Sequence, residues 1–186
     1  MCVSDCHEGL KNAIAQVLGC PWQRCSVHFL RNMLGHCAKR QQPMISAAIR
    51  GIFQASSGQE ARERLAEVLE RLEPVAPKIA QRLLDAEADL LGFYAFPREH
   101  WSKLRSTNPL ERVNREIGRR TDVVGIFPND AALIRLAGSL LVEQNDEWLV
   151  SRRYLSQESL SSVLDENDHT LTQKKNNKEV PALSAA

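Results

Sequence analysis

The hydrophobic period of this 186-residue chain changes once, close to His28, and that change limits what it can fold into. Before His28 both periods occur. Cys2, Val3 and Ser4 read as the end of a short strand. Leu10, Ala13, Ile14, Val17 and Leu18 then recur at helical spacing as far as Gly19, and 22–28 (WQRCSVH) alternates as a second strand. Beyond His28 only the helical period remains, over 29–39, 44–53, 59–72, 76–91 and from about 130 towards Tyr154. One strand–helix–strand unit followed only by helices cannot supply a large sheet. The expected fold is therefore mostly α, with a two-stranded α/β remnant formed by 2–4 and 23–27. A strand this short at the start of the chain is expected to need sheet partners upstream.

The most regular helix is 59–72, where Ala61, Leu65, Val68, Leu69 and Leu72 form one apolar stripe. Ser56 or Ser57 is placed to cap it. Glu60–Arg64 and Glu67–Arg71 are favourable i,i+4 pairs, each worth about 0.2–0.5 kcal/mol. Phe93, Tyr94 and Phe96 form an aromatic cluster where the chain turns, and Asn129 or Asp130 caps a helix carrying Leu133, Leu136, Ala137, Leu140 and Leu141. The domain is expected to cover 1–156. From 157 to 186 the sequence is polar and lacks aromatics, and a disordered tail is expected there.

Formal net charge is +1, so no global field marks the chain as a nucleic-acid binder, but the charge is unevenly spread. Seven Lys and Arg stand against three Glu over 98–120, a balance of +4, whereas 60–89 holds five basic against eight acidic residues, a balance of −3. Local basic patches govern phosphate binding more than the total does. No apolar run approaches the roughly 20 residues needed to span a bilayer, and MCVSDCHEGL lacks the basic and apolar regions of a signal peptide. A cytoplasmic protein with no membrane partner is expected. Its five cysteines, odd in number and irregular in spacing, do not form a disulfide framework.

The basic stretch contains the richest local pattern, 104–128 (LRSTNPLERVNREIGRRTDVVGIFP). Asn108 reads as a helix N-cap, Pro109 as the first helical residue, and Glu111 as the carboxylate three residues on that reaches back to the cap. Leu110, Val113, Asn114 and Ile117 fall on one helical face, with Arg112, Arg115, Arg119 and Arg120 mostly on the other. Gly125 and Pro128 end the pattern. Taken locally, this is a well-capped surface helix with solvated arginines. The alternative, which the rest of the chain has to support, is a carboxylate fixed at a helix start beside a phosphate-binding face.

Two further groups carry possible chemistry. Asp5 sits where a strand ends and a helix begins, a place where it either caps the helix or faces a ligand crevice. With Glu111 it would supply two hard oxygen ligands suited to Mg²⁺. The 106 positions between the two do not establish that they meet. Cys25 and His28 form a C-x-x-H half-motif. A zinc site needs about four N/S ligands, so a buried Cys and a packed His are expected instead of zinc.

Three blocks in order, Ser4-Asp5-x-His7-x-Gly9-Leu10, Gln23-Arg24-Cys25-x-Val27-His28-Phe29-x-Arg31-Asn32, and Ser106-Thr107-Asn108-x-x-Glu111-Arg112-x-Asn114-x-Glu116-Ile117 with Arg119-Arg120-Thr121 and Val124-Gly125-Ile126-Phe127-Pro128, closely resemble the mutator-type transposases of bacterial insertion sequences. The resemblance covers about 3–150. It implies a ribonuclease H-like catalytic domain of the DDE class, interrupted by a helical insertion at about 29–97. Asp5 would be the second catalytic Asp and Glu111 the Glu, both binding Mg²⁺ or Mn²⁺, with Asn108 fixing the turn and Cys25 and His28 as the family's C-x-x-H pair. The implied partners are DNA at insertion-sequence ends, bound by Arg112, Arg115, Arg119 and Arg120, and other transposase subunits. The family's first Asp lies on an upstream strand that this sequence does not contain. The chain is therefore expected to be a truncated C-terminal part, catalytically incomplete alone. The alternative is a non-catalytic helical module that binds DNA or another transposase subunit.

Overall fold

The computed structural model describes residues 1–150, 155, 158–161 and 163. The expected disordered tail lies almost wholly outside the described residues. Its described residues, 158–161 and 163, are helical.

The chain opens with β1 (Cys2–Ser4), α1 (Glu8–Ala13), a π-helical turn at Ile14–Leu18 and β2 (Trp22–Arg24). The strands pair in parallel, with Cys2 opposite Trp22, Val3 opposite Gln23 and Ser4 opposite Arg24. Gly19 closes the π turn at φ 57°, a left-handed conformation that glycine adopts without a Cβ clash. The second strand is shorter than its alternation predicts. Cys25 is the N-cap of α2 (Ser26–Gly35), so Val27 and His28 are already helical. The reason lies in the spacing of Cys25, Phe29 and Met33: these buried residues are four apart, and helical burial outweighs a three-residue alternation.

Everything that follows is helical. After a 3₁₀ turn at Lys39–Gln41 come α3 (Gln42–Ile52), α4 (Gly58–Leu72), α5 (Pro77–Asp85) and α6 (Glu87–Leu91). The expected single helix over 76–91 is broken at Ala86, which leaves helical geometry at φ −97°, ψ 0°. Ser57 caps α4 through its Oγ, 3.1 Å from the Glu60 N–H, while Glu60 accepts from Ser56 N–H at 2.7 Å. The predicted Glu60–Arg64 pair forms at 2.6 Å. The core is built from Phe29, Met33, Ile45, Ile49, Ile52, Leu65, Leu72, Ile79, Leu83 and Leu90. Each such side chain stabilises by about 1.5–3 kcal/mol when fully buried.

Gln23 ties the small sheet to this helical body. It is fully buried, its Nε2 donates to Leu90 O at 2.9 Å and Arg24 O at 3.0 Å, and its Oε1 accepts from Phe93 N–H at 2.9 Å. Phe93, Tyr94 and Trp101 pack ring on ring around a 3₁₀ turn at Gly92–Ala95.

The chain ends in α7 (Arg98–Leu104), α8 (Asn108–Val124) and α9 (Asp130–Val150). Asn129 caps α9, its Oδ1 accepting from Ala132 N–H at 2.9 Å. Neither α8 nor α9 buries a residue, and large apolar side chains such as Ile134 and Val142 stay exposed. In the first unit likewise only Ile14 of the apolar stripe is buried, while Leu10, Val17 and Leu18 are exposed. Among the described residues no strand lies beyond Arg24, so the chain is mostly helical as expected. No helix is long and apolar enough to cross a membrane among the described residues.

Candidate functional site

Asp5 and Glu111 are brought to one place, and His28 stands between them. Asp5 follows β1 directly. It is exposed, and its Oδ1 accepts only from the adjacent Cys6 N–H at 2.7 Å. It does not cap α1. That role falls to His7, whose Nδ1 accepts from Leu10 N–H at 3.3 Å. His28 lies in the first turn of α2, just past the end of β2. Its Nε2 is 2.8 Å from Glu111 Oε1, and its Nδ1 is 3.9 Å from Asp5 Oδ2. The two nitrogens of an imidazole are about 2.2 Å apart, so the two carboxylates are within about 9 Å of each other. That is compatible with a two-ion site, whose ions sit about 3.5–4 Å apart and bind oxygen at about 2.1 Å.

The start of α8 is held against the start of α2. Ser26 N–H donates to Arg105 O at 2.9 Å, and Thr107 N–H donates to Cys25 Sγ at 3.4 Å. Thr107 Oγ1 lies 3.4 Å from Cys25 Sγ and 3.1 Å from Glu111 Oε1. The capping assignment shifts by one residue. Thr107, not Asn108, is the N-cap, and Pro109 is the second helical residue. No side chain caps this end, because the Thr107 hydroxyl is engaged with the carboxylate and the thiol. Asn108 instead lines a cavity of about 800 Å³ beside the site, together with Arg50, Arg105, Arg112 and Trp148.

The four arginines of α8 divide into two pairs. Arg119 and Arg120 both turn onto Glu116, at 2.7 and 2.9 Å. The hydrogen bonds from Arg119 and then Arg120 hold the Glu116 carboxyl at about 2, well below its ordinary 4.5, and raise Arg119 in turn. Arg112 and Arg115 are exposed and have no ion-pair partner among the described residues. Glu116 is thus committed to its own helix, and Glu111 is the carboxylate that faces Asp5 through His28.

The donor set fits a hard divalent cation in type, because carboxylate oxygens are the ligands that Mg²⁺ and Mn²⁺ prefer. It is short in number. Among the described residues no three or more His, Cys, Asp and Glu are grouped to hold an ion. Cys25 and His28, separated by two residues in the C-x-x-H spacing, engage different partners: Cys25 meets Thr107, and His28 meets Glu111.

Sequence reasoning did not single out Thr107 or Arg50. Thr107 stood inside the block that carries the family resemblance, with no role assigned to it. Arg50 belongs to a helix whose other features are purely those of the core, and only tertiary packing sets it beside Arg105 and Arg112.

The sequence profile of the Mutator family of transposases matches residues 1–151. The transposase for insertion sequence element IS1081 of Mycobacterium tuberculosis is 42% identical over 159 residues, covering 85% of this chain and 38% of that protein. The transposase for ISRM5 of Rhizobium meliloti is 38% identical, covering 85% of this chain and 40% of its own length. The transposase for IS256 in transposon Tn4001 of Staphylococcus aureus is 35% identical, covering 83% and 40%. This chain therefore spans about two fifths of the curated relatives it matches, and it belongs to the Mutator family of transposases.

Proposed function

We propose that the chain is the C-terminal part of a metal-dependent DDE transposase that cuts and joins insertion-sequence DNA. In this reading β1, α1 and β2 are a remnant of a ribonuclease H-like sheet, and the helices from α2 to α6, over about 29–97, interrupt it. The observation that carries the reading is the meeting of Asp5 and Glu111 across 106 positions on opposite sides of one imidazole ring. Asp5 and Glu111 would hold the ion. When bound, a divalent ion would polarise a phosphate oxygen and generate a nucleophile at neutral pH. The chain's own residues orient the carboxylates: β1 ends at Ser4, directly before Asp5, and the α2–α8 junction fixes Glu111. Arg112 and Arg115 would take DNA phosphates near that site, with Arg50 and Arg105 in the adjoining cavity wall.

Only two carboxylates converge among the described residues, so the chain alone would bind DNA without cleaving it. The reading is tested by exchange. Residues 1–150 are placed in the transposase for IS1081 of Mycobacterium tuberculosis in place of the matching segment. The hybrid should excise its element, and Asp5→Ala or Glu111→Ala should abolish excision. A hybrid that remains active without either carboxylate would overturn the assignment and leave the helical DNA-binding module as the better account.

A further inference from the structure

We propose that Cys25, Thr107 and His28 form a clamp that fixes one oxygen of Glu111 and leaves its other oxygen for a ligand. Two groups converge on Glu111 Oε1: His28 Nε2 at 2.8 Å and the Thr107 hydroxyl, which donates at 3.1 Å. The nearness of Nε2 to a carboxylate oxygen assigns the ring's proton to that nitrogen. Oε2 receives neither. The Thr107 hydroxyl has one proton, and a carboxylate is a stronger acceptor than a thiol. Given to Glu111, that proton is not available to Cys25, so at the 3.4 Å separation of Thr107 Oγ1 and Cys25 Sγ the donor role is assigned to the thiol's S–H. Meanwhile Cys25 Sγ accepts the Thr107 backbone N–H. The protons thus run in one direction, from the thiol to the hydroxyl to the carboxylate.

Burial supports this assignment. Cys25 is fully buried, so its thiol has no water to replace Thr107. The His28 Nδ1 is also buried and makes no hydrogen bond, its nearest carboxylate oxygen being Asp5 Oδ2 at 3.9 Å, so Nε2 is the nitrogen within hydrogen-bond range of a carboxylate. The C-x-x-H spacing then has a mechanical reason. Cys25 as N-cap and His28 one turn on project from one end of α2, so one residue grips Thr107 and the other grips Glu111 itself. These three are positioning residues. They act on Glu111, and the metal arm of the test below rests on the reading of Glu111 as an ion ligand.

Two measurements on the 186-residue chain test the clamp. In long-range ¹H–¹⁵N NMR spectra, His28 should be a single tautomer protonated at Nε2. Glu111→Ala should release it to a tautomer mixture while the rest of the spectrum keeps its dispersion. Free tautomer exchange in the wild type, or a His28 signal indifferent to Glu111→Ala, would overturn the clamp whatever the metal does. In Mn²⁺ titrations, His28→Ala, Thr107→Val and Cys25→Ala should each weaken binding, by the about 10–100-fold typical of lost outer partners. Thr107→Ser and Cys25→Ser, which keep the donors, should restore most of it. If Glu111→Gln loses Mn²⁺ but His28→Ala and Thr107→Val bind as the wild type does, the clamp fails and the ion site stands. If Glu111→Gln binds as the wild type does, the ion reading fails, and the tautomer result decides the clamp alone.

Discussion

His28 Nε2 lies 2.8 Å from Glu111 Oε1, a contact that spans 83 positions and joins the first turn of α2 to the first turn of α8. It locates the site, since Asp5 reaches the same ring from the end of β1. β2 ends at Arg24, so Cys25 and His28 project from the start of a helix.

The sheet's attachment to the helical body should depend on Gln23. Gln23→Leu removes its three hydrogen bonds and leaves Leu90 O and Phe93 N–H buried without partners. Each orphan costs about 1–3 kcal/mol. Urea unfolding should show a lower midpoint with an unchanged slope. A midpoint equal to that of the wild type would mean that water reaches this junction.

The start of α4 should weaken in acid. Hydrogen bonds from the Ser56 hydroxyl and then the Ser56 N–H hold the Glu60 carboxyl at about 2, below its ordinary 4.5. The folded value is depressed, so this contribution is fully present above 4.5 and is lost as pH falls from there towards 2. Glu60→Gln should therefore lower the thermal midpoint near neutral pH, with the gap to wild type closing across that window. A gap that stays constant into strong acid would show that the carboxylate is not what holds the cap.

DNA binding should be sequence-independent and salt-sensitive, with the two arginine pairs unequal. Removing Arg112 and Arg115 together should flatten the plot of log affinity against log salt by about 1.8, close to 0.9 per lost phosphate contact. Removing Arg119 and Arg120 should change it less, because Glu116 already neutralises part of their charge. Glu116→Gln should free them and steepen the slope. Equal effects from both pairs would show that DNA breaks the Glu116 pairs on binding.

Much of this architecture was legible in the sequence. The helix over 44–53, the stripe of α4, the pairs of residues offered as caps (Ser56 or Ser57, Asn129 or Asp130), the two short strands and the mostly helical character followed from spacing and cap chemistry, which are local. The short end of β2, the break at Ala86 and the move of the α8 cap to Thr107 did not. The first is decided by the burial of Cys25, Phe29 and Met33 and by Arg105 O accepting from Ser26, and the last by Cys25 and Glu111 engaging Thr107. The exposed stripes of α1 and α9 carry a core-like period without a core to fill. Asp5 and Glu111 were singled out by the helix-start pattern and by resemblance. Their nearness, and the ring between them, needed the fold.

With Mg²⁺ or Mn²⁺, the chain by itself should not nick DNA carrying insertion-sequence ends. Two carboxylates neither hold nor neutralise two ions well, and Mg²⁺ keeps its waters unless ligands are well placed. Nicking that disappears in both Asp5→Ala and Glu111→Ala would show that two carboxylates suffice.

The most direct test of the central claim is paramagnetic broadening by Mn²⁺ in backbone NMR spectra of this chain. The account predicts the strongest broadening at the amides around Asp5, His28 and Glu111, and its loss in both Asp5→Asn and Glu111→Gln. Broadening centred on the acidic 60–89 stretch, or broadening at Glu111 that survives Asp5→Asn unchanged, would contradict a shared site.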